Sequence, residues 1–275
     1  ARAKGIDAQG TDMLIGTAGR FEWKNKGIDV FLEAMRKLGE APASTPYTLH
    51  PTPSQKQVIA FVMIPYLDRE DFTVGNVHVV FVPTYLNGND GVLNLPYYDL
   101  LIGLDLTVFP SYYEPWGYTP LESLAFRIPT LTTTLAGFGL WVRTYYGKKH
   151  PGITVLDRSD SNYFEVVDGV AQRVMEIASL RKDSRKKYMQ NAKDVSEIAL
   201  WENNIVYYKE AYSKALEKLI KAGGVYPAAR NDKNMEYKKF EVNQPTWNSV
   251  IVSRHLPESL KDLEILSKNL WWCWN

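Results

Sequence analysis

Two carboxylates lie close together in the sequence, beside a helix-start signal. Glu114 and Glu122 are separated by seven residues. Thr119 is a favourable N-cap, Pro120 suits the first helical position, and Glu122 three residues after Thr119 completes a capping box. The spacing therefore predicts a helix over residues 120–127 that begins at Thr119. Backbone N–H groups and the positive dipole end of a helix start bind phosphate groups.

Two cations precede this segment and are placed to complete an anion site. Arg20 and Lys26 flank the turn after the first predicted strand, so both can reach the carboxyl edge of the sheet. Gly117 lets a ligand approach the backbone closely. Each charge-assisted contact to an anion contributes roughly 1.5 to 3 kcal/mol. These residues predict a diphosphate site, with Glu114 at its mouth accepting hydrogen bonds from hydroxyl groups.

The elements that must position these residues alternate between short apolar strands and helices. Strands are predicted over 13–18, 58–64, 77–82, 106–109 and 129–134. Helices are predicted over 28–38, 97–104, 120–127, 162–180 and 184–221, and a loop over 136–139. The alternation predicts an α/β fold with a Rossmann-like, mostly parallel sheet and flanking helices, which binds its ligand at the carboxyl ends of the strands.

The connection over residues 65–76 does not fit a simple crossover. Two parallel strands normally need a dozen or more residues between them, usually helical, and this stretch is too short and too polar for a helix. Either the strands 58–64 and 77–82 are antiparallel neighbours, or part of the natural chain is missing between them.

Composition excludes several classes of function. The 275 residues include 32 basic and 31 acidic side chains, a net charge of +1, so no broad positive field serves nucleic acid or an anionic membrane. No apolar stretch approaches the roughly 18 residues of a spanning helix. The single cysteine, Cys273, suits a reducing compartment, and we expect a cytoplasmic protein. The four histidines lack metal-site spacing, so no metal is expected.

The stretch Pro110-Ser-Tyr-Tyr-Glu-Pro-Trp-Gly-Tyr-Thr-Pro120 resembles glycogen synthases of the eukaryotic type. These are retaining nucleotide-sugar glycosyltransferases of GT-B architecture, and Glu114 and Glu122 match their E-x7-E arrangement. Residues 19–27 resemble the family's entry to its second domain, and residues 136–139 its glycine loop. The resemblance implies the donor-binding half of an enzyme that transfers glucose from a nucleotide diphosphate to the non-reducing end of an α-1,4-glucan, with retention.

The resemblance also implies roles for individual residues. Arg20 and Lys26 would bind the donor diphosphate and stabilise the leaving nucleotide, and Glu114 would contact hydroxyls of the transferred glucose. Glu122 would hold the ribose, and Tyr97 would stack on the base. The remaining expected substrate-binding residues are Gly117, Tyr118, Thr119, Leu121 and Trp116. No cofactor is implied; the donor is UDP-glucose or ADP-glucose, and its leaving diphosphate would assist attack on the same face.

Each of these residues also has a purely structural interpretation. Glu122 can serve as a helix cap, and Arg20 and Lys26 can be solvated surface charges. Tyrosines such as Tyr97 are more often packing residues than base platforms, and Trp116 can simply shape the loop that carries it.

The resemblance divides the chain and implies partners for it. We expect a donor-binding domain over residues 1–222 and a linker over 223–246, while 247–275 resembles the start of a bacterial α-glucan phosphorylase. The family's N-terminal GT-B domain is missing, so this fragment alone should be inactive. The donor, glycogen or another α-glucan acceptor, that N-terminal domain, a fused phosphorylase module and further copies in a homo-oligomer are the expected partners.

Two other functions stay open. One is a GT-B enzyme of sucrose or trehalose synthesis. The other is a non-catalytic nucleotide- or glucan-binding module that regulates a fused phosphorylase.

Overall fold

A computed structural model describes residues 10–40 and 56–221 of the chain. The chain divides into two compact units between Glu197 and Ile198. The predicted linker over 223–246 and the phosphorylase-like segment over 247–275 lie outside the described residues. No helix in the described ranges is both long and apolar enough to cross a bilayer.

Strands of the first unit form a single eight-stranded sheet within the described residues. They are β1 (Thr11–Ala18), β2 (Gln57–Met63), β3 (Phe72–Val74), β4 (Val77–Phe81), β5 (Leu106–Val108), β6 (Thr130–Thr133), β7 (Lys149–His150) and β8 (Ile153–Leu156). Their order is β3-β4-β2-β1-β5-β6-β8-β7. The six inner strands are parallel, and β3 and β7 are antiparallel edges. The predicted mostly parallel sheet is confirmed.

The strand order reverses at β1. From β1 the chain moves outward to β2 and β4, then returns to place β5 on the other side of β1 before moving outward again to β6 and β8. In open α/β sheets the ligand binds outside the carboxyl ends of the strands at such a reversal. The ends of β1 and β5 are therefore where a ligand is expected.

Helices cover both faces of this sheet. They are α1 (Ile28–Glu40), α2 (Tyr97–Leu101), α3 (Tyr118–Ala125), α4 (Gly137–Tyr146), α5 (Tyr163–Ser179) and α6 (Lys182–Glu197). The second unit contains α7 (Trp201–Lys221). Successive residues of a strand point to opposite faces. Along β2, Val62 joins the core beneath α1 and α5, whereas Phe61 and Met63 join the core beside α2. This alternation confirms the predicted flanking helices.

The connection between β2 and β4 is shorter than a helical crossover, but the two strands are parallel. Their register runs from Val58 opposite Val77 to Val62 opposite Phe81. The antiparallel neighbour of β4 is β3, which precedes it through a two-residue turn. An extended strand covers about 3.3 Å per residue, more than twice a helix, so a short polar stretch completes the return. The antiparallel interpretation of residues 58–64 and 77–82 is therefore wrong.

The predicted helix over 184–221 is two helices. The first, α6, ends at Glu197, and α7 begins at Trp201 in the second unit. Ala192 and Val195 of α6 are buried, whereas α7 has no buried residue among those whose exposure is described.

Candidate functional site

Two connections meet at the carboxyl ends of β1 and β5. The backbone N–H groups of Tyr112 and Tyr113 donate to the carbonyl of Asn25, at 2.9 and 3.2 Å. Gly27 has a φ of 65°, and a Cβ added there would lie 2.1 Å from the carbonyl oxygen of Pro110. Only a glycine tolerates both conditions. The turn after β1 therefore packs backbone to backbone against the loop after β5.

This packing brings two of the predicted site residues into contact. Lys26 Nζ donates a hydrogen bond to Glu114 Oε2 and forms an ion pair with it. The two side chains are 15% and 19% exposed. An ion pair so shielded from water is screened less than a surface pair. A cation and a carboxylate are thus in contact at the edge of the sheet where a ligand is expected.

The backbone of Glu114 is held by the start of α4. Glu114 N–H donates to the carbonyl of Leu135 at 3.1 Å, and its own carbonyl accepts from Gly137 N–H at 3.1 Å. Phe138 N–H donates to the carbonyl of Trp116 at 2.7 Å. The loop predicted over 136–139 is therefore wrong, because these residues include the first turn of α4. Carbonyls from the Glu114 loop satisfy N–H groups that the helix start leaves unpaired.

The second helix at the site, α3, starts earlier than predicted. It begins at Tyr118, its N-cap is Gly117 at a φ of 105°, and no side chain caps it. The predicted capping box of Thr119 and Glu122 is therefore wrong. Gly117 makes the turn into the helix, because glycine tolerates a left-handed backbone conformation. Pro120 lies within the first turn, where a missing N–H costs little.

Glu122 faces α2 and not the cap. Burial raises the pKa of its carboxyl group, and a hydrogen bond with the Tyr98 side chain acts in the opposite direction. Burial also raises the pKa of Tyr97, whose hydroxyl is buried with no hydrogen-bond partner. The Tyr97 ring lies 5.4 Å from that of Tyr98. These predicted ligand contacts thus lie along the α2–α3 side of the site.

The other predicted residues occupy different positions at the same edge. Arg20 is 78% exposed and pairs with Glu22 of its own turn at 2.8 Å, so it is not brought to Glu114. The Trp116 ring packs 5.8 Å from Phe138 and 5.6 Å from Trp141, which supports its loop-shaping interpretation. The start of α3 carries the half-exposed Tyr118 and the partly buried Thr119 and Leu121.

Sequence reasoning missed two exposed aromatic rings on this edge. Tyr66 follows β2 and Tyr85 follows β4; they are 76% and 61% exposed, with ring centroids 5.9 Å apart. Tyr66 directly follows Pro65, and Tyr85 lies two positions after Pro83; a proline just after a strand is the signal that could have located them. Within residues 10–40 and 56–221, no group of three or more His, Cys, Asp or Glu side chains could hold a metal ion.

Comparison with known proteins identifies the family. A family model described as glycogen synthase matches residues 71–259. The chain belongs to the glycogen synthase family. The matched range contains Glu114, Glu122 and Tyr97, and the turn with Arg20 and Lys26 lies before it. It also runs through the predicted linker into the segment predicted as a phosphorylase module.

Individual relatives agree with this membership. The chain is 35% identical over 144 residues to glycogen [starch] synthase of Caenorhabditis elegans, covering 52% of this chain and 21% of that protein. It is 30% identical over 181 residues to glycogen [starch] synthase isoform 1 of Saccharomyces cerevisiae, covering 62% and 25%. The chain therefore spans about a fifth to a quarter of the length of these curated relatives.

A solved structure is also similar. It is that of WaaG, a glycosyltransferase involved in lipopolysaccharide biosynthesis, with a TM-score of 0.42 and 19% identity over 71% of this chain and 45% of that one.

Proposed function

We propose that this chain is the donor-binding half of a glycogen synthase, the second domain of a GT-B glycosyltransferase. The complete enzyme would transfer glucose from a nucleotide-diphosphate glucose to the non-reducing end of an α-1,4-glucan, with retention. The observation that carries the proposal is the shielded Lys26–Glu114 pair. It lies at the reversal point of the sheet, in a chain of the glycogen synthase family.

In this proposal the ion pair opens when the donor binds. Lys26 exchanges the Glu114 carboxylate for the donor diphosphate, and Glu114 then accepts hydrogen bonds from glucose hydroxyls. The first-turn N–H groups of α3 face the phosphates, as helix starts favour. Arg20, exposed at the adjacent turn, swings toward the diphosphate and adds a second cation.

The transfer step needs stabilisation of negative charge more than a side-chain nucleophile. The bond between glucose C1 and the diphosphate oxygen breaks, and the electron pair stays on the diphosphate. Lys26 and Arg20 stabilise that charge. The acceptor hydroxyl attacks C1 on the same face and passes its proton to the departing diphosphate oxygen. No metal or cofactor enters this step.

The ribose and base fall on the α2 side of the site in this proposal. Glu122 would hold the ribose, and Tyr97 would face the base. The exposed Tyr85 ring offers a further stacking surface at the same edge, because aromatic faces stack on bases.

The partners proposed for the complete enzyme follow from the same family. They are the glucan acceptor, an N-terminal GT-B domain that supplies the rest of the cleft, and further copies in a homo-oligomer, in the cytoplasm. A regulatory module fused to a phosphorylase is not favoured, because the glycogen synthase match extends to residue 259.

Calorimetric titration of the chain with UDP and ADP, beside a glucan elongation assay, tests the proposal. We expect binding of at least one nucleotide, weaker binding of that nucleotide in Lys26→Met, and no elongation by the chain alone. Absence of binding to both nucleotides would refute the donor site. Elongation by the isolated chain would refute the division of labour between two domains.

A further inference from the structure

Arg158 is a buried cation that the proposed site does not use. It follows β8 at the carboxyl edge of the sheet and is 9% exposed. Its Nε and Nη1 atoms are buried and have no hydrogen-bond partner. Burial lowers the pKa of its guanidinium group. Because unpaired buried donors are costly, another kind of contact must offset this burial.

The compensating contacts are aromatic. The guanidinium carbon of Arg158 lies 5.4 Å from the ring centroid of Tyr112 and 5.8 Å from that of Tyr163, the first residue of α5. Cation–π contacts strengthen when the cation is removed from water. These two rings therefore lie beside the guanidinium group whose Nε and Nη1 atoms have no hydrogen-bond partner.

Tyr112 is the residue through which Arg158 can act on the site. Its N–H donates to the carbonyl of Asn25 at 2.9 Å, and its hydroxyl donates to Asp160. Tyr112 is therefore held by the turn after β1, through Asn25, and by the segment after β8, through Arg158 and Asp160. Glu114 follows two residues later, and its backbone is held on the other side by Leu135 and Gly137.

We propose that Arg158 is a positioning residue for Glu114. By stacking on Tyr112, it holds the loop that keeps the Glu114 carboxylate against Lys26 and ready for the sugar. The kinetic part of this proposal rests on the proposed function, because it assumes that Glu114 contacts the transferred glucose.

The first test compares kinetics of Arg158 variants in the complete enzyme. Arg158→Gln should lower kcat roughly tenfold, the scale of one desolvated cation–π contact. The inhibition constant of UDP should fall by no more than about fivefold, the limit set by removing the Glu114 charge altogether, because Arg158→Gln loosens Glu114 and leaves Lys26 in place. Arg158→Lys should retain most of kcat, since an ammonium group also binds an aromatic face.

A matched control separates positioning from the loss of any stacked arginine. Arg36 lies 5.4 Å over the Phe72 ring at the edge strand β3, and it is exposed. Arg36→Gln therefore removes the same type of contact without touching the Glu114 loop, and kcat should stay at the parental value. Unchanged kcat in Arg158→Gln, or an equal loss in Arg36→Gln, would overturn the proposal.

A second readout needs no activity. Amide hydrogen exchange in a peptide covering residues 111–117 should be faster in Arg158→Gln and near parental in Arg158→Lys. Combining Arg158→Gln with Tyr112→Leu should add no further acceleration over Tyr112→Leu alone, because both remove one contact. Unchanged exchange in Arg158→Gln would refute the positioning role, whereas an inactive parent enzyme with the expected exchange pattern would refute the proposed function alone.

Discussion

Replacing Lys26 and Glu114 should change nucleotide affinity in opposite directions. In the structure the two side chains neutralise each other, so a diphosphate must compete with Glu114 for the Lys26 ammonium group. Lys26→Met removes the cation that the diphosphate needs. Glu114→Gln releases that cation and removes a negative charge from the site. Both variants should nevertheless lower turnover in the complete enzyme.

The magnitudes follow from charge and shielding. Loss of a charge-assisted contact costs roughly 1.5 to 3 kcal/mol, so Lys26→Met should weaken UDP binding by roughly ten- to a hundredfold. The Glu114 carboxylate and a bound diphosphate repel each other. Two unit charges about 8 Å apart interact with about 2 kcal/mol at an effective dielectric constant of about 20. Salt reduces this to roughly 1 kcal/mol, so Glu114→Gln should tighten UDP binding by about fivefold.

Calorimetric titration of the chain with UDP at low and high salt measures both effects. Asp168→Asn is a suitable control, because it removes an exposed acid that pairs with Lys37 on α1 and leaves the site intact. Its UDP affinity should match that of the parent chain. If Glu114→Gln weakens UDP binding as Lys26→Met does, Glu114 does not compete with the diphosphate for Lys26.

Two further predictions concern the positions that build the site. Gly27→Ala should lower the free energy of unfolding by roughly 2 to 4 kcal/mol in urea titrations, because the added Cβ meets the Pro110 carbonyl in a strained backbone conformation. Gly91→Ala, also at positive φ but with open space around its Cβ, should cost only about 1 kcal/mol, and equal losses would refute the close approach. Burial raises the pKa of Glu122 above its ordinary value of 4.5, so this carboxyl group makes the fold less stable as pH rises from about 4.5 through the raised pKa. Glu122→Gln should therefore have a higher melting temperature than the parent at pH 7 but not at pH 4, and a lower one at pH 7 would contradict the assignment.

Much of the fold could be predicted from short apolar segments. The strands around residues 13–18 and 58–64 and the helix from Ile28 form close to where the pattern puts them. Apolar residues at every second position indicate a strand, and apolar residues at every third to fourth position indicate a helix. This spacing is a local property of the sequence, so it can be recognised without the fold. The positions of Lys26 and Glu114 after predicted strands could likewise be read from the sequence, and the structure brings these two side chains into contact.

The predictions that were wrong involved partners distant in sequence. Residues 136–139 start a helix because carbonyls of Glu114 and Trp116 accept its first N–H groups. Gly117, and not Thr119, is the N-cap of α3, because the chain turns there with left-handed backbone. A capping pattern includes only residues close in sequence, so it does not predict contacts such as those between the Glu114 loop and the start of α4.

The sequence by itself determined the strands β1, β2, β4, β5 and β6 and the helices α1, α2 and α5, and it placed Lys26 and Glu114 after strands. Tertiary structure alone decided that β2 and β4 run parallel, and that Lys26 meets Glu114 across 88 positions of chain. The physical reason is that pairing of strands and of charges depends on distances between segments, which local periodicity does not encode.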